Sequence, residues 1–192
     1  MAVQCLYMKS AFIIHGTGGS PEGNWFPWLE QKLEQQGYEV FVPRFPTPEG
    51  QSLDAWMQVL ETYRDQITED TIFIAHSLGP ALVLAFLETV QVPVYACFFV
   101  SSFLNFLEDD FFDSLNKTFV QKEYDFQTIQ TSCRHFVLIS AQDDPYVPIQ
   151  YGRSLAKKLN TSLIELKTGG HLNTEFGYSE FPFLWEKIQE IL

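Results

Sequence analysis

Three places in this chain carry the side chains of nucleophilic acyl chemistry, each directly after an apolar run. They are Ser77 in Ala75-His76-Ser77-Leu78-Gly79, Asp143 or Asp144 in Asp143-Asp144-Pro145-Tyr146-Val147-Pro148, and His171 in Gly169-Gly170-His171. A serine hydroxyl is a poor nucleophile until a neutral imidazole takes its proton. A buried carboxylate then fixes the imidazole tautomer and stabilises the imidazolium. None of the three is informative alone, because serine and aspartate are common turn residues and a histidine after two glycines can be a simple loop residue.

The elements that must position them are legible as apolar periodicity. Thr71 to Ala75 reads as a buried strand, and Ala81 to Leu87, apolar all round, as a buried helix. Strand, sharp turn and helix with a serine at the apex form a nucleophile elbow, where small residues are expected two before and two after the serine. Ala75 and Gly79 supply them, and the crowding is expected to fall between these two positions. The N–H of Leu78, the residue after the serine, is a candidate oxyanion donor, with the N-terminus of the following helix adding positive dipole.

Other strands are predicted at Ser10 to Ile14, Tyr38 to Val42, Val94 to Val100, His135 to Ala141 and Ser162 to Leu166. Helices are predicted from Trp25 to Gln36, Leu53 to Ile67, Ile149 to Leu159 and Phe181 to Leu192. The alternation predicts βαβ units and one parallel sheet of about six strands with helices on both faces. The residues between Ser101 and Thr131 are rich in phenylalanine and acidic side chains without a clean period. They predict a loop with one or two short helices over the pocket, too short for a large lid domain.

The turn His15-Gly16-Thr17-Gly18-Gly19-Ser20-Pro21 is no dinucleotide fingerprint, because Pro21 stands where the third glycine should be, and no P-loop, for want of a lysine. It reads as a loop facing the nucleophile, with the Thr17 N–H as second oxyanion donor. Trp25, Phe26, Phe103, Phe106 and Tyr146 are the candidate pocket side chains. His15, His76 and His135 are expected to be structural. A metal site from His76, His171 and Asp144 lacks ligand spacing, so no metal and no cofactor are expected.

Composition bounds the rest. The 192 residues suit one domain, residues 1–192, with 46% hydrophobic content and eighteen phenylalanines. A net charge of −12 argues against nucleic acid and anionic membrane as partners. Cys5, Cys97 and Cys133 show no C-x-x-C spacing and read as buried thiols. The run Ala11 to Ile14 is too short for a signal-peptide core, and no membrane span is seen, so a cytoplasmic protein is expected.

The order Ser, Asp, His is that of α/β-hydrolases. The segments His15-Gly16-x-x-Gly19-Ser20, Asn24-Trp25-Phe26-Pro27-Trp28-Leu29, the Ser77 elbow, Asp143-Asp144-Pro145-Tyr146-Val147-Pro148 and Gly170-His171-Leu172-Asn173-Thr174-Glu175-Phe176 resemble the small serine hydrolases of the YdeN and retinoblastoma-binding-protein-nine type. The resemblance implies a compact α/β-hydrolase with Ser77, Asp144 and His171 in the triad positions. Its members are assigned esterase-like and aminopeptidase-like action. Ala75 and the Phe-rich acidic segment depart from the pattern. The expected activity is cleavage of small acyl esters, thioesters or amides. The alternatives are a non-catalytic interaction protein on this fold and an acyltransferase using the same triad.

Overall fold

The computed structural model describes residues 9–192. Its strands are β1 (Ser10–Ile14), β2 (Glu39–Phe41), β3 (Ile72–His76), β4 (Val94–Val100), β5 (Cys133–Ala141) and β6 (Leu163–Leu166). They form one six-stranded sheet in the order β2-β1-β3-β4-β5-β6, with every neighbouring pair parallel. The helices among the described residues are α1 (Phe26–Gln35), α2 (Leu53–Glu61), α3 (Gly79–Leu87), α4 (Asp110–Val120), α5 (Phe126–Thr131), α6 (Ile149–Lys158) and α7 (Pro182–Ile191).

Strand periodicity divides the core in two. Ala11, Ile13, Ile72, Ile74, Ala96 and Phe98 face α1 and α7, which contribute Leu29, Leu33, Leu184 and Ile188. The alternate residues Phe12, Ile14, Phe73, Ala75, Cys97 and Phe99 face the opposite helices, which contribute Trp56, Leu82, Phe119 and Leu155. Central strands buried on both faces carry few polar residues, which is why they read as near-continuous apolar runs. α3 is buried at all nine positions, and Pro80 fits its first turn, where no N–H is needed.

The chain runs from β1 out to the β2 edge, then returns to place β3 on the other side of β1. The connections therefore reverse between β1 and β3, and such a reversal opens a crevice at the carboxyl ends of the strands. Ser77 follows β3 and Thr17 follows β1, so both border it.

The single helix predicted from Leu53 to Ile67 is corrected to α2 and a separate 3-10 turn, Arg64–Gln66. The Ser52 hydroxyl caps α2 by accepting from the Ala55 N–H at 3.1 Å. The segment after β4 contains α4 and α5, each opened by an aspartate, Asp109 and Asp125, whose carboxylate accepts two backbone N–H groups. Cys97 and Cys133 are free, buried thiols, and burial raises the Cys97 thiol well above its usual range. Cys5 lies outside the described residues. Among those residues, no helix is long and apolar enough to cross a membrane.

Candidate active site

Ser77 sits one residue beyond β3 at φ +60°, a left-handed conformation that costs a serine on the order of 1–3 kcal/mol. The surroundings hold it there: the Ser77 N–H donates to Val100 O at 2.9 Å, and α3 begins two residues later. The tightest contacts at Gly79 are with the end of β1 and the residue after it. A side chain at Gly79 would come within 2.8 Å of Ile14 O, and one at Gly16 within 2.6 Å of Ser77 Cβ. The two glycines thus let the elbow and the β1 loop close on each other.

The His171 ring stands beside Ser77, with Nε2 3.1 Å from Oγ. Its Nδ1 lies 2.8 Å from Asp144 Oδ2 on a carboxylate only 1% exposed. A carboxylate only accepts, so Nδ1 donates to Asp144 and Nε2 is the nitrogen that faces the hydroxyl. The other oxygen, Asp144 Oδ1, accepts from the Tyr146 and Val147 N–H groups at 2.9 and 3.0 Å. Asp143 faces elsewhere and accepts from the Gly170 N–H at 2.9 Å.

The loop carrying His171 is held from below. Its own carbonyl accepts from His76 Nε2–H at 2.9 Å and from the Ser101 hydroxyl at 3.3 Å. The next carbonyl, Leu172 O, accepts from Trp25 Nε1–H at 3.0 Å. Burial, with His171 as a lesser cause, pushes His76 down to about 3, so it is a neutral donor. His15 is likewise kept neutral by burial. It accepts the Phe45 N–H at 3.1 Å and donates from Nδ1 to Gly16 O at 2.8 Å, fixing the start of the β1 loop. Among the described residues, the Thr17 and Leu78 N–H groups donate to no acceptor of the chain.

A cavity of about 370 Å³ opens over Ser77 and His171. Phe103, Leu107, Phe112 and Val147 form its apolar wall, and Thr17, Asn116, Tyr146, Asn173 and Glu175 its polar one. The Tyr146 hydroxyl donates to the Glu175 carboxylate at 2.9 Å, which holds the phenol above its ordinary range.

Three of the five expected pocket side chains are corrected. Trp25 and Phe26 are fully buried in the core beneath the His171 loop, since they are the cap and first residue of α1, whose first turn faces inward. Phe106 is 42% exposed outside the cavity. The residues missed are Leu107, Phe112, Asn116, Val147, Asn173 and Glu175. Phe112 and Asn116 stand four apart on α4, so an Asp109 cap followed by that spacing was the signal that could have found them.

Comparison with known proteins gives concordant results. The family model described as serine hydrolase matches residues 11–190. The chain is 32% identical to YdeN of Bacillus subtilis (strain 168) over 182 residues, 94% of either chain. It is 29% identical to serine hydrolase RBBP9 of Rattus norvegicus over 170 residues, 86% of this chain and 89% of the other. The crystal structure of the B. subtilis ydeN gene product superposes with a TM-score of 0.89 at 30% identity, covering 95% of this chain and 98% of that one. The architecture is that of the α/β-hydrolases.

Proposed function

This chain belongs to the serine hydrolase family, and from that premise we propose that it cleaves small acyl esters, thioesters or amides through an acyl-enzyme on Ser77. The observation that carries the reading is the continuous contact from Ser77 Oγ through the His171 ring to Asp144, at 3.1 and 2.8 Å.

His171 Nε2 takes the Ser77 proton as Oγ adds to the substrate carbonyl. The oxygen that becomes negative is received by the Thr17 and Leu78 N–H groups, assisted by the N-terminus of α3. Asp144 stabilises the imidazolium, which protonates the leaving atom as its bond to carbon breaks. Water then gives its proton to Nε2, attacks the acyl carbon, and the second collapse returns the proton to Ser77. The apolar wall and small cavity favour compact substrates, and two buried free thiols suit a reducing, cytoplasmic setting.

Turnover of a panel of short-chain esters, thioesters and aminoacyl amides tests the reading, with Ser77→Ala as control. The expected result is steady turnover of at least one class in the wild type, preceded by a leaving-group burst where an activated ester makes acylation the faster step. The variant should retain only the residual catalysis over water, on the order of 10³-fold, left by the oxyanion donors. Equal turnover by Ser77→Ala, or none by the wild type across the panel, overturns it. Acyl transfer to an added alcohol in preference to water would identify an acyltransferase.

A further inference from the structure

The polarity of the Asn116 side chain in the cavity is dictated by a chain of hydrogen bonds reaching back to the backbone. The Gly18 N–H, which can only donate, gives its proton to Thr47 Oγ1 at 2.7 Å. The Thr47 hydroxyl proton is therefore free for Gln51 Oε1 at 2.5 Å. Leu115 O, an acceptor only, fixes Gln51 Nε2 on its side at 3.2 Å, and the second Nε2 hydrogen is shared between Thr17 Oγ1 at 3.1 Å and Asn116 Oδ1 at 3.0 Å. Asn116 Oδ1 also accepts the Thr17 hydroxyl at 2.6 Å. Every link agrees: Oδ1 is engaged twice, and both Nδ2 hydrogens are uncommitted on a cavity-lining residue only 1% exposed.

Asn116 Nδ2 is not among the buried unpaired atoms of the described residues, so it opens on the cavity, where an acceptor on a bound substrate would take the place of water. On the reading of Ser77 as nucleophile, His171 protonates the leaving group, which therefore lies on the His171, Tyr146 and Glu175 side. Asn116 is bonded to Thr17, on the oxyanion side, and so meets the acyl part. We propose that Asn116 Nδ2 is a specificity-determining donor that binds an uncharged oxygen, ether, hydroxyl or carbonyl, carried by the acyl group beside the scissile carbonyl. Short oxygen-bearing acyl groups are then preferred to alkanoyl groups of equal size. An anionic oxygen is disfavoured by the Glu175 carboxylate in the same cavity.

The test compares p-nitrophenyl methoxyacetate with p-nitrophenyl butyrate, which have the same number of heavy atoms. Each kcat/KM is divided by the ester's hydroxide rate to remove intrinsic reactivity. One neutral hydrogen bond is worth about tenfold, so the wild type should favour methoxyacetate by about that factor. Asn116→Asp keeps the oxygen that accepts from Thr17 and Gln51 but loses the donor, and Asn116→Leu loses both. In either variant the corrected ratio should fall toward one. A wild-type ratio near one overturns the proposal whether or not the variants fold, and so does an unchanged ratio in a folded variant. Failure of the underlying reading is separately visible, because a fluorophosphonate would then leave wild-type Ser77 unlabelled.

Discussion

The indole Nε1–H of Trp25 donates to the carbonyl of Leu172 at 3.0 Å, joining residues 147 positions apart directly beneath the His171 loop. The tryptophan thus acts on the site from below. Trp25→Phe keeps an aromatic ring but removes the N–H and strands a buried acceptor, which by itself should cost about 1–3 kcal/mol of stability. It should also lower kcat more than it raises KM, as denaturant titration and ester kinetics would show. A KM effect with kcat intact would instead place Trp25 against the substrate.

The adjacent aspartates should separate by function. Asp144→Asn presents an amide to His171 Nδ1 and favours the wrong tautomer, so kcat should fall by roughly 10⁴-fold. Asp143→Asn still offers an oxygen to the Gly170 N–H, and its loss should stay within about tenfold, the worth of one weakened hydrogen bond. Kinetics on both folded variants check the order, and the reverse order would move the acid to Asp143.

Gly16→Ala brings a methyl within 2.6 Å of Ser77 Cβ. The β1 loop and the elbow must then part, displacing the Ser77 hydroxyl from the Thr17 N–H. Because a shift of about 1 Å can cost 10²-fold, kcat should fall by about that factor while circular dichroism stays unchanged. Retained activity would mean that the loop moves freely.

Acid stability should report His76. Its folded value is pushed down to about 3 from 6.5, so below pH 6.5 the unfolded chain binds a proton that the folded chain refuses. Stability is lost as pH falls from 6.5 toward 3, and His76 alone should remove about 2 kcal/mol between pH 6.5 and pH 5. Urea midpoints across that range measure it, and His76→Phe should flatten the slope. An equal slope in the variant would assign the effect to other groups.

The central strands, the elbow and the three loops bearing Ser77, Asp144 and His171 were legible because each depends on local periodicity. The Trp25 error has the same origin. An aromatic pair after a turn looks alike from sequence whether it overhangs a cleft or underlies it, and only the direction of α1 decides. The break after Glu61 was hidden by apolar spacing that continues through a 3-10 turn. Asn116 was illegible because its partners, Thr17 and Gln51, lie 99 and 65 residues away and meet it only when α4 docks.

The central claim, that Ser77 is the nucleophile, is tested most directly by intact-mass and peptide mapping after reaction with a fluorophosphonate. The account predicts one adduct per chain, on Ser77, with none formed by Ser77→Ala and much slower formation by Asp144→Asn. An adduct on another residue, or an equal one on Ser77→Ala, would contradict it.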